Sequence, residues 1–221
     1  MRDVYQHDIA EFAARLDDLA EMARWEMRKA TCALLEDDVA LARAVNADRR
    51  AVTELHHRID EHAIALLARQ QPVASDLRTI VAGLRMSADL ERMGVLADHV
   101  AALALVDGPR PIVPAELRPT VQAMARVADR MAQRVCSALV NRSVADAEQV
   151  IAYDDEMDRL LTDLHRHLLS GELPSATAMN LTLLGRYYER FADHTVSLAK
   201  RVAFLIGARR YSTAATTGAL G

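Results

Sequence analysis

Apolar residues recur at alternating spacings of three and four through most of this chain, and that period admits little besides long packed helices. In the first segment Ile9, Phe12, Leu16, Leu19 and Ala23 keep it. In the last, Leu181, Leu184, Tyr188, Phe191, Thr195, Leu198, Val202 and Leu205 sustain it over about three heptads. Composition agrees. The 221 residues include only 8 Gly and 6 Pro, too few breakers for many short strands and turns. With 51% apolar but only 4% aromatic residues, the core falls to Leu, Ala, Val and Met, the palette of helices.

The breakers that exist are concentrated. Pro109, Pro111, Pro114 and Pro119 follow Gly108 at the midpoint of the chain, with weaker breaks at Pro72 and at Gly171 with Pro174. Asp37-Asp38 and Asn141-Arg142-Ser143 interrupt what remains. Six helices are therefore expected, near 3–36, 38–70, 75–106, 117–141, 144–170 and 175–208. The expected fold is all-α: two tandem, pseudo-symmetric three-helix bundles over 1–107 and 117–208, a proline-rich linker over 108–116, and a disordered tail over 209–221.

The halves read as copies. A shift of 105 carries Ala33-Leu34 onto Ala138-Leu139, Val39-Ala40 onto Val144-Ala145, Val52 onto Met157 and Leu55 onto Leu160. For the third helix of each half the shift is 98, which sets Leu90-Glu91-Arg92-Met93 on Tyr188-Glu189-Arg190-Phe191. Apolar spacing alone matches between any two helices; the repeated Glu-Arg pair on the seam favours duplication.

Several function classes drop out. A net charge of −4 and a pI near 6.1 give no electrostatic reason to bind nucleic acid. Cys32 and Cys136 cannot make a disulfide framework and read as small core or boundary residues. The polar N-terminus lacks a signal-peptide core, and no uncharged apolar stretch approaches the roughly 18 residues of a membrane span, so a soluble, cytoplasmic protein is expected.

Carboxylates at helical spacing are the residues able to carry chemistry. Asp154 and Asp158 are four apart on the fifth helix, and Glu189 and Asp193 are four apart on the sixth. Each pair projects two like charges from successive turns, at a small cost with no structural benefit. Antiparallel packing of these helices would converge up to four carboxylates, a donor set for hard cations such as Mg²⁺, Ca²⁺, Mn²⁺ or iron. The competing reading is a solvated acidic face neutralised by Arg186, Arg190 and Arg159. His165, His167 and His194 read as surface or boundary residues. Glu54-Leu55-His56-His57 holds a single Glu-x-x-His, which di-iron bundles use on two helices, and no second copy exists. There is no glycine-rich phosphate loop, no Gly-x-Ser-x-Gly and no cysteine beside a histidine, so nothing in the motifs points to an enzyme.

Three stretches resemble the PhoU family of phosphate-transport regulators: Leu66-Leu67-Ala68-Arg69-Gln70-Gln71-Pro72-Val73-Ala74-Ser75-Asp76-Leu77-Arg78, Asp89-Leu90-Glu91-Arg92-Met93-Gly94 and Arg186-Tyr187-Tyr188-Glu189-Arg190-Phe191-Ala192-Asp193-His194. The resemblance extends over nearly the whole chain except the last dozen or so residues. In that family an acidic residue followed four later by Asp recurs in each bundle, and some members bind multinuclear metal clusters, notably iron, through these motifs. The resemblance thus implies a metal site at Asp154, Asp158, Glu189 and Asp193, holding iron or another hard divalent cation. The first bundle departs from the pattern: Glu91 is kept, but Val95 stands four later, and Arg49 and Thr53 lie opposite Asp154 and Asp158. Asp98 is roughly 10 Å further along the axis than Glu91, and Asp48 is the one spare acid nearby. An asymmetric protein is expected, with one intact and one degraded carboxylate site.

The resemblance also implies a role: an adaptor, not an enzyme, that represses the phosphate-starvation response by contacting the phosphate ABC transporter's ATPase and the phosphate-sensing histidine kinase. It would be recruited to the inner face of the membrane through the transporter, with no membrane insertion of its own, and a homodimer is an assembly state to be tested. The alternatives are a metal-dependent helical enzyme or metal store centred on the second-bundle carboxylates, and a metal-free family member.

Overall fold

The structure, a computed structural model, describes residues 2–69, 74–106, 111–170 and 173–217. Over these it forms six helices: α1 (Arg2–Leu35), α2 (Val39–Arg69), α3 (Ala74–Leu103), α4 (Arg118–Asn141), α5 (Val144–Leu168) and α6 (Ser175–Thr217). α2 packs on α1 and α3, and α5 packs on α4 and α6, so each of these outer helices touches only its own bundle. The other four form a shared layer in which α1 lies against α4 and α3 against α6. Two three-helix bundles are thereby joined side by side.

Duplication is visible down to single hydrogen bonds. Asp37 and Arg142, related by the shift of 105, are the only non-glycine residues with positive φ among those described, at 52° and 50°. Each ends a helix in the left-handed conformation that frees the last carbonyls for turn bonds. Asp38 N–H then donates to the Ala33 carbonyl at 2.9 Å, and Ser143 N–H to the equivalent Ala138 carbonyl at 3.2 Å. The same two residues cap the helices that follow: Asp38 Oδ1 accepts from Leu41 N–H at 2.9 Å and Ser143 Oγ from Asp146 N–H at 3.1 Å.

The described part of the proline-rich segment is not a loose tether. Ile112, Val113 and Leu117 are buried, and the Pro114 carbonyl accepts from Leu117 and Arg118 N–H at 3.0 and 3.1 Å. Pro119 sits in the first turn of α4, where a missing N–H costs nothing. The breaks expected at Pro72, Gly108-Pro109 and Gly171 lie outside the described residues. α6 departs from expectation by continuing past residue 208 to Thr217. The segment after Tyr211 lacks apolar period, yet it contains no proline and its first glycine is Gly218, so nothing local stops the helix. Residues 218–221 of the expected tail lie outside the description.

Side chains bridge the bundles as well as apolar surfaces do. Arg24 on α1 donates from Nε to Asp129 Oδ1 on α4 at 2.8 Å. Thr31 donates to the Met27 carbonyl, so the fully buried Tyr188 hydroxyl donates to Thr31 Oγ1 across 2.7 Å. On the other side Asp89 of α3 accepts from His194 Nδ1 at 3.0 Å and Arg201 Nε at 3.3 Å on α6. Burial alone would raise the Asp89 carboxyl, but these two partners outweigh it and hold it below the ordinary range. Cys136 is buried, its thiol pushed up to about 12 by desolvation and the nearby Glu21. Cys32 is exposed, so of the two cysteines only Cys136 is a core residue. No helix among the described residues is long and apolar enough to cross a membrane.

Candidate metal centre

α5 and α6 present the acidic pairs because the residues between them are apolar anchors. Met157 is sealed on α5, and Tyr188, Phe191 and Ala192 are sealed on α6. With those side chains fixed inward, the helical period places Asp154 and Glu189 half-buried at the edge of the α5–α6 contact and Asp158 and Asp193 outside them.

The four carboxylates share one electrostatic environment. Asp154 is raised above the ordinary carboxylate range by burial first, then by the charges of Asp158, Asp193 and Asp155, with Lys200 opposing. Glu189 is raised by burial, and again by Asp193 and Asp158, against the lowering effect of Arg186. Acids of each helix are thus felt by acids of the other, as the antiparallel reading requires. Of the three arginines expected to neutralise the cluster, only Arg186 does so, through a close contact with Glu189. Arg159 instead donates to the Asp155 carbonyl. Among the described residues the carboxylates of Asp154, Asp158 and Asp193 have no hydrogen-bonding or ion-pair partner; Thr162 Oγ1 donates to the Asp158 carbonyl instead.

The donor type suits a hard cation: four carboxylates, three of them without a side-chain partner, whose repulsion a divalent ion would relieve. The side chains as placed stop short of a ligating cluster, since among the described residues no three His, Cys, Asp or Glu converge to hold one ion.

The first bundle holds a different solution at the matching place. Arg49, opposite Asp154 in the repeat, reaches Asp98 Oδ2 at 3.3 Å from Nη1, and Asn46 Nδ2 donates to Asp98 Oδ1. The acid judged too distant from Glu91 to share an ion with it is held by a guanidinium of the same chain. Asp48 is likewise engaged, with Lys29 Nζ at 2.6 Å.

His194 is a half-buried boundary residue, as expected, and the partner that the spacing did not indicate is Asp89, which it reaches across the seam. His167 contacts the Asp163 carbonyl, on the exposed side of α5. Glu54 and His57 are both exposed and belong to no ligating group.

One arrangement invisible to motif searching deserves a chemical test. His56 Nδ1 lies 2.7 Å from Ser87 Oγ, and its Nε2 lies 3.6 Å from Asp60 Oδ2. This has the members of a nucleophilic triad, but Ser87 is 0% exposed, so no substrate carbonyl can approach its oxygen. The Asp60 contact is also too long for the hydrogen bond that would orient the imidazole. The group ties α2 to α3.

Comparison with known proteins agrees with this architecture. The PhoU domain is matched twice, at residues 16–104 and 121–202. The phosphate-specific transport system accessory protein PhoU homolog 1 of Mycobacterium tuberculosis is 39% identical over 212 residues, covering 93% of this chain and 94% of that one. Homolog 2 of the same species is 40% identical over 210 residues, covering 92% and 97%. Among solved structures, PhoU from Pseudomonas aeruginosa superposes with a TM-score of 0.82 at 26% identity, covering 92% of this chain and 99% of that one. The PhoU regulatory protein from Streptococcus pneumoniae has the same TM-score of 0.82 at 19% identity, covering 91% and 96%, and speaks to the fold alone.

Proposed function

The chain belongs to the PhoU family, a family of phosphate-transport accessory proteins, and from that premise we propose that it is a regulatory adaptor. It restrains the phosphate-starvation response by contacting the cytoplasmic ATPase of a phosphate ABC transporter and the phosphate-sensing histidine kinase. The supporting observation is the double PhoU domain, with relatives named as transport accessory proteins matched along almost their whole length. Physically, such an adaptor acts by binding one conformation of its partner better than another, and the bias cannot exceed that difference in affinity. Long helices with grooves between them suit helical partners.

The test is a binding measurement with the purified ATPase subunit and the kinase's cytoplasmic portion, beside a starvation-response reporter in a strain lacking this chain. The adaptor reading expects a complex with at least one of them and a reporter that is on even when phosphate is plentiful. No complex with either, together with a silent reporter, overturns it.

Asp154, Asp158, Glu189 and Asp193 would hold the cation, iron or another hard divalent ion. Its chemical contribution is charge neutralisation between α5 and α6, fixing one helix against the other. Metal analysis of protein purified without chelator or affinity metal tests this. Stoichiometric metal should vanish in Glu189→Ala/Asp193→Ala and persist in Glu91→Ala. Equal loss in both refutes the asymmetry, and no metal after supply of iron, manganese and magnesium refutes the site.

A further inference from the structure

The two halves part company at one place. α3 stops at Leu103, whereas its counterpart α6 runs past the equivalent Arg201 to Thr217. α4 starts at Arg118, whereas its counterpart α1 is already helical before the equivalent Ala13. A connecting segment therefore stands at only one of two equivalent places, between α3 and α4. There it fills space: Ile112, Val113 and Leu117 are 4%, 1% and 1% exposed. Arg118, at its end, reaches Glu36 Oε1 at 3.1 Å, which sets the segment beside the end of α1.

The walls record the difference. Leu34 and Leu35, next to Glu36, are 1% and 8% exposed. Their equivalents at the end of α4 are uncovered: Leu139 is half-buried and Val140 is 64% exposed. At that end of the molecule a groove of about 610 Å³ stands open, walled by Ile9, Phe12, Leu139, Val140, Leu205 and Ile206. Ile9 and Phe12 are themselves the counterparts of Pro114 and Leu117 in the filled place. A concavity of this volume with mostly apolar walls is of the kind that buries a ligand. Asp17 and Arg142, the charged residues lining it, are of opposite sign and favour no net charge in an occupant.

We propose that this groove receives an apolar, non-helical segment of a partner protein, in the place that Ile112 and Val113 fill in the other half. The chemistry of the occupant is read from the molecule itself. Walls of the same descent are already covered once, and what covers them is two adjacent β-branched residues between prolines, Pro111-Ile112-Val113-Pro114. Such side chains supply apolar area at little rotamer cost, and the flanking prolines keep the segment out of a helix. Whichever protein supplies it, the segment is recognised by these walls.

The chain's own filler provides the probe. The full chain, labelled at Ile, Leu and Val methyls, is titrated with the blocked peptide Pro-Ile-Val-Pro-Ala while the Leu139, Val140, Leu205 and Ile206 resonances are followed. Pro-Ser-Asn-Pro-Ala is the polar control, and octanol is the small apolar probe. The variant is Val140→Asp, placed at an exposed position so that the fold survives, which its melting temperature checks. The expected result is saturable shifts of those methyls with half-saturation at about 1 mM or below. Binding should be at least tenfold weaker in folded Val140→Asp and with the control peptide. No saturable shift, shifts confined to other methyls, or equal binding of the control overturns the proposal. A saturable response to octanol with none to the peptide overturns it in favour of a small apolar ligand. Dimers of the free chain in sedimentation that Val140→Asp dissolves overturn it in favour of a second copy.

Discussion

Arg24 and Asp129 are the same position in the two halves of the molecule, and they are bonded to each other, Nε to Oδ1 at 2.8 Å. Equivalent residues touch where they lie beside the axis relating two copies, so this pair sits at the pseudo-axis between the bundles. The contact is complementary because the copies have diverged, one to a cation and one to an anion. Arg28 adds to the same carboxylate at 3.7 Å.

The first prediction follows from burial at that axis. The Arg24 side chain is 14% exposed and that of Asp129 29%, so removing the acid leaves a largely desolvated guanidinium with only the longer Glu21 contact at 3.6 Å. Asp129→Ala should cost about 1–3 kcal/mol in urea denaturation. Exchanging the partners, Arg24→Asp with Asp129→Arg, should recover part of that loss. If the exchanged protein is no more stable than Asp129→Ala, the pair is not the contact that matters.

Close helix approach predicts a second effect, of unusual sign. A Cβ at Gly83 of α3 would stand 2.4 Å from Phe12 Cε1 on α1, and Phe12 is completely buried, so its ring must shift within the core. Alanine gains up to about 1 kcal/mol of helix propensity over glycine, but overpacking costs about 1–3 kcal/mol. Gly83→Ala should therefore lower the melting temperature, and Phe12→Leu in the same chain should restore part of it. A more stable Gly83→Ala single variant would mean α1 and α3 are further apart than described.

Stability should rise on mild acidification because of Asp17. Burial, followed by the charge of Asp18, raises its carboxyl from 3.8 to about 6, against the weaker opposing influence of Arg142. The folded state then binds a proton that the unfolded chain releases, so stability increases as pH falls through about 6 toward 4. Discounted for partial solvent screening, the gain between about pH 7.5 and 5 is at most on the order of 1 kcal/mol relative to Asp17→Asn. Urea midpoints of both proteins across that range check it; parallel curves would count against it.

Cation binding in the second bundle should be proton-linked. Asp154 and Glu189 are both raised, chiefly by burial, and must ionise fully to ligate. Affinity should fall on acidification at a higher pH than for a site of unperturbed carboxylates, with protons released on binding. Calorimetry in buffers of different ionisation enthalpy measures that release, and its absence would place the cation elsewhere.

Much of this was legible in the chain because helix period, breakers and duplication are all local. The equivalence of Asp38 with Ser143, both capping residues, follows from the same shift that aligned Ala33 with Ala138. The acidic pairs were also legible, since i and i+4 share a helix face whatever surrounds them. What could not be read was where neighbouring helices meet. Whether His194 turns toward Asp193 or across to Asp89 depends on the α3–α6 seam, and no spacing within α6 records it. The Ser87–His56 contact joins two helices in the same way.

Arg49 gives the two halves different dependence on their surroundings. In the first bundle the positive charge beside Asp98 is part of the polypeptide, present from synthesis and unable to diffuse away. In the second, Asp154, Asp158 and Asp193 face whatever ions the surrounding water supplies. At this position one half carries its countercharge within the chain, while the other leaves its carboxylates to be balanced by ions of the solvent. A partner touching both faces would meet a built-in countercharge on one side and open carboxylates on the other.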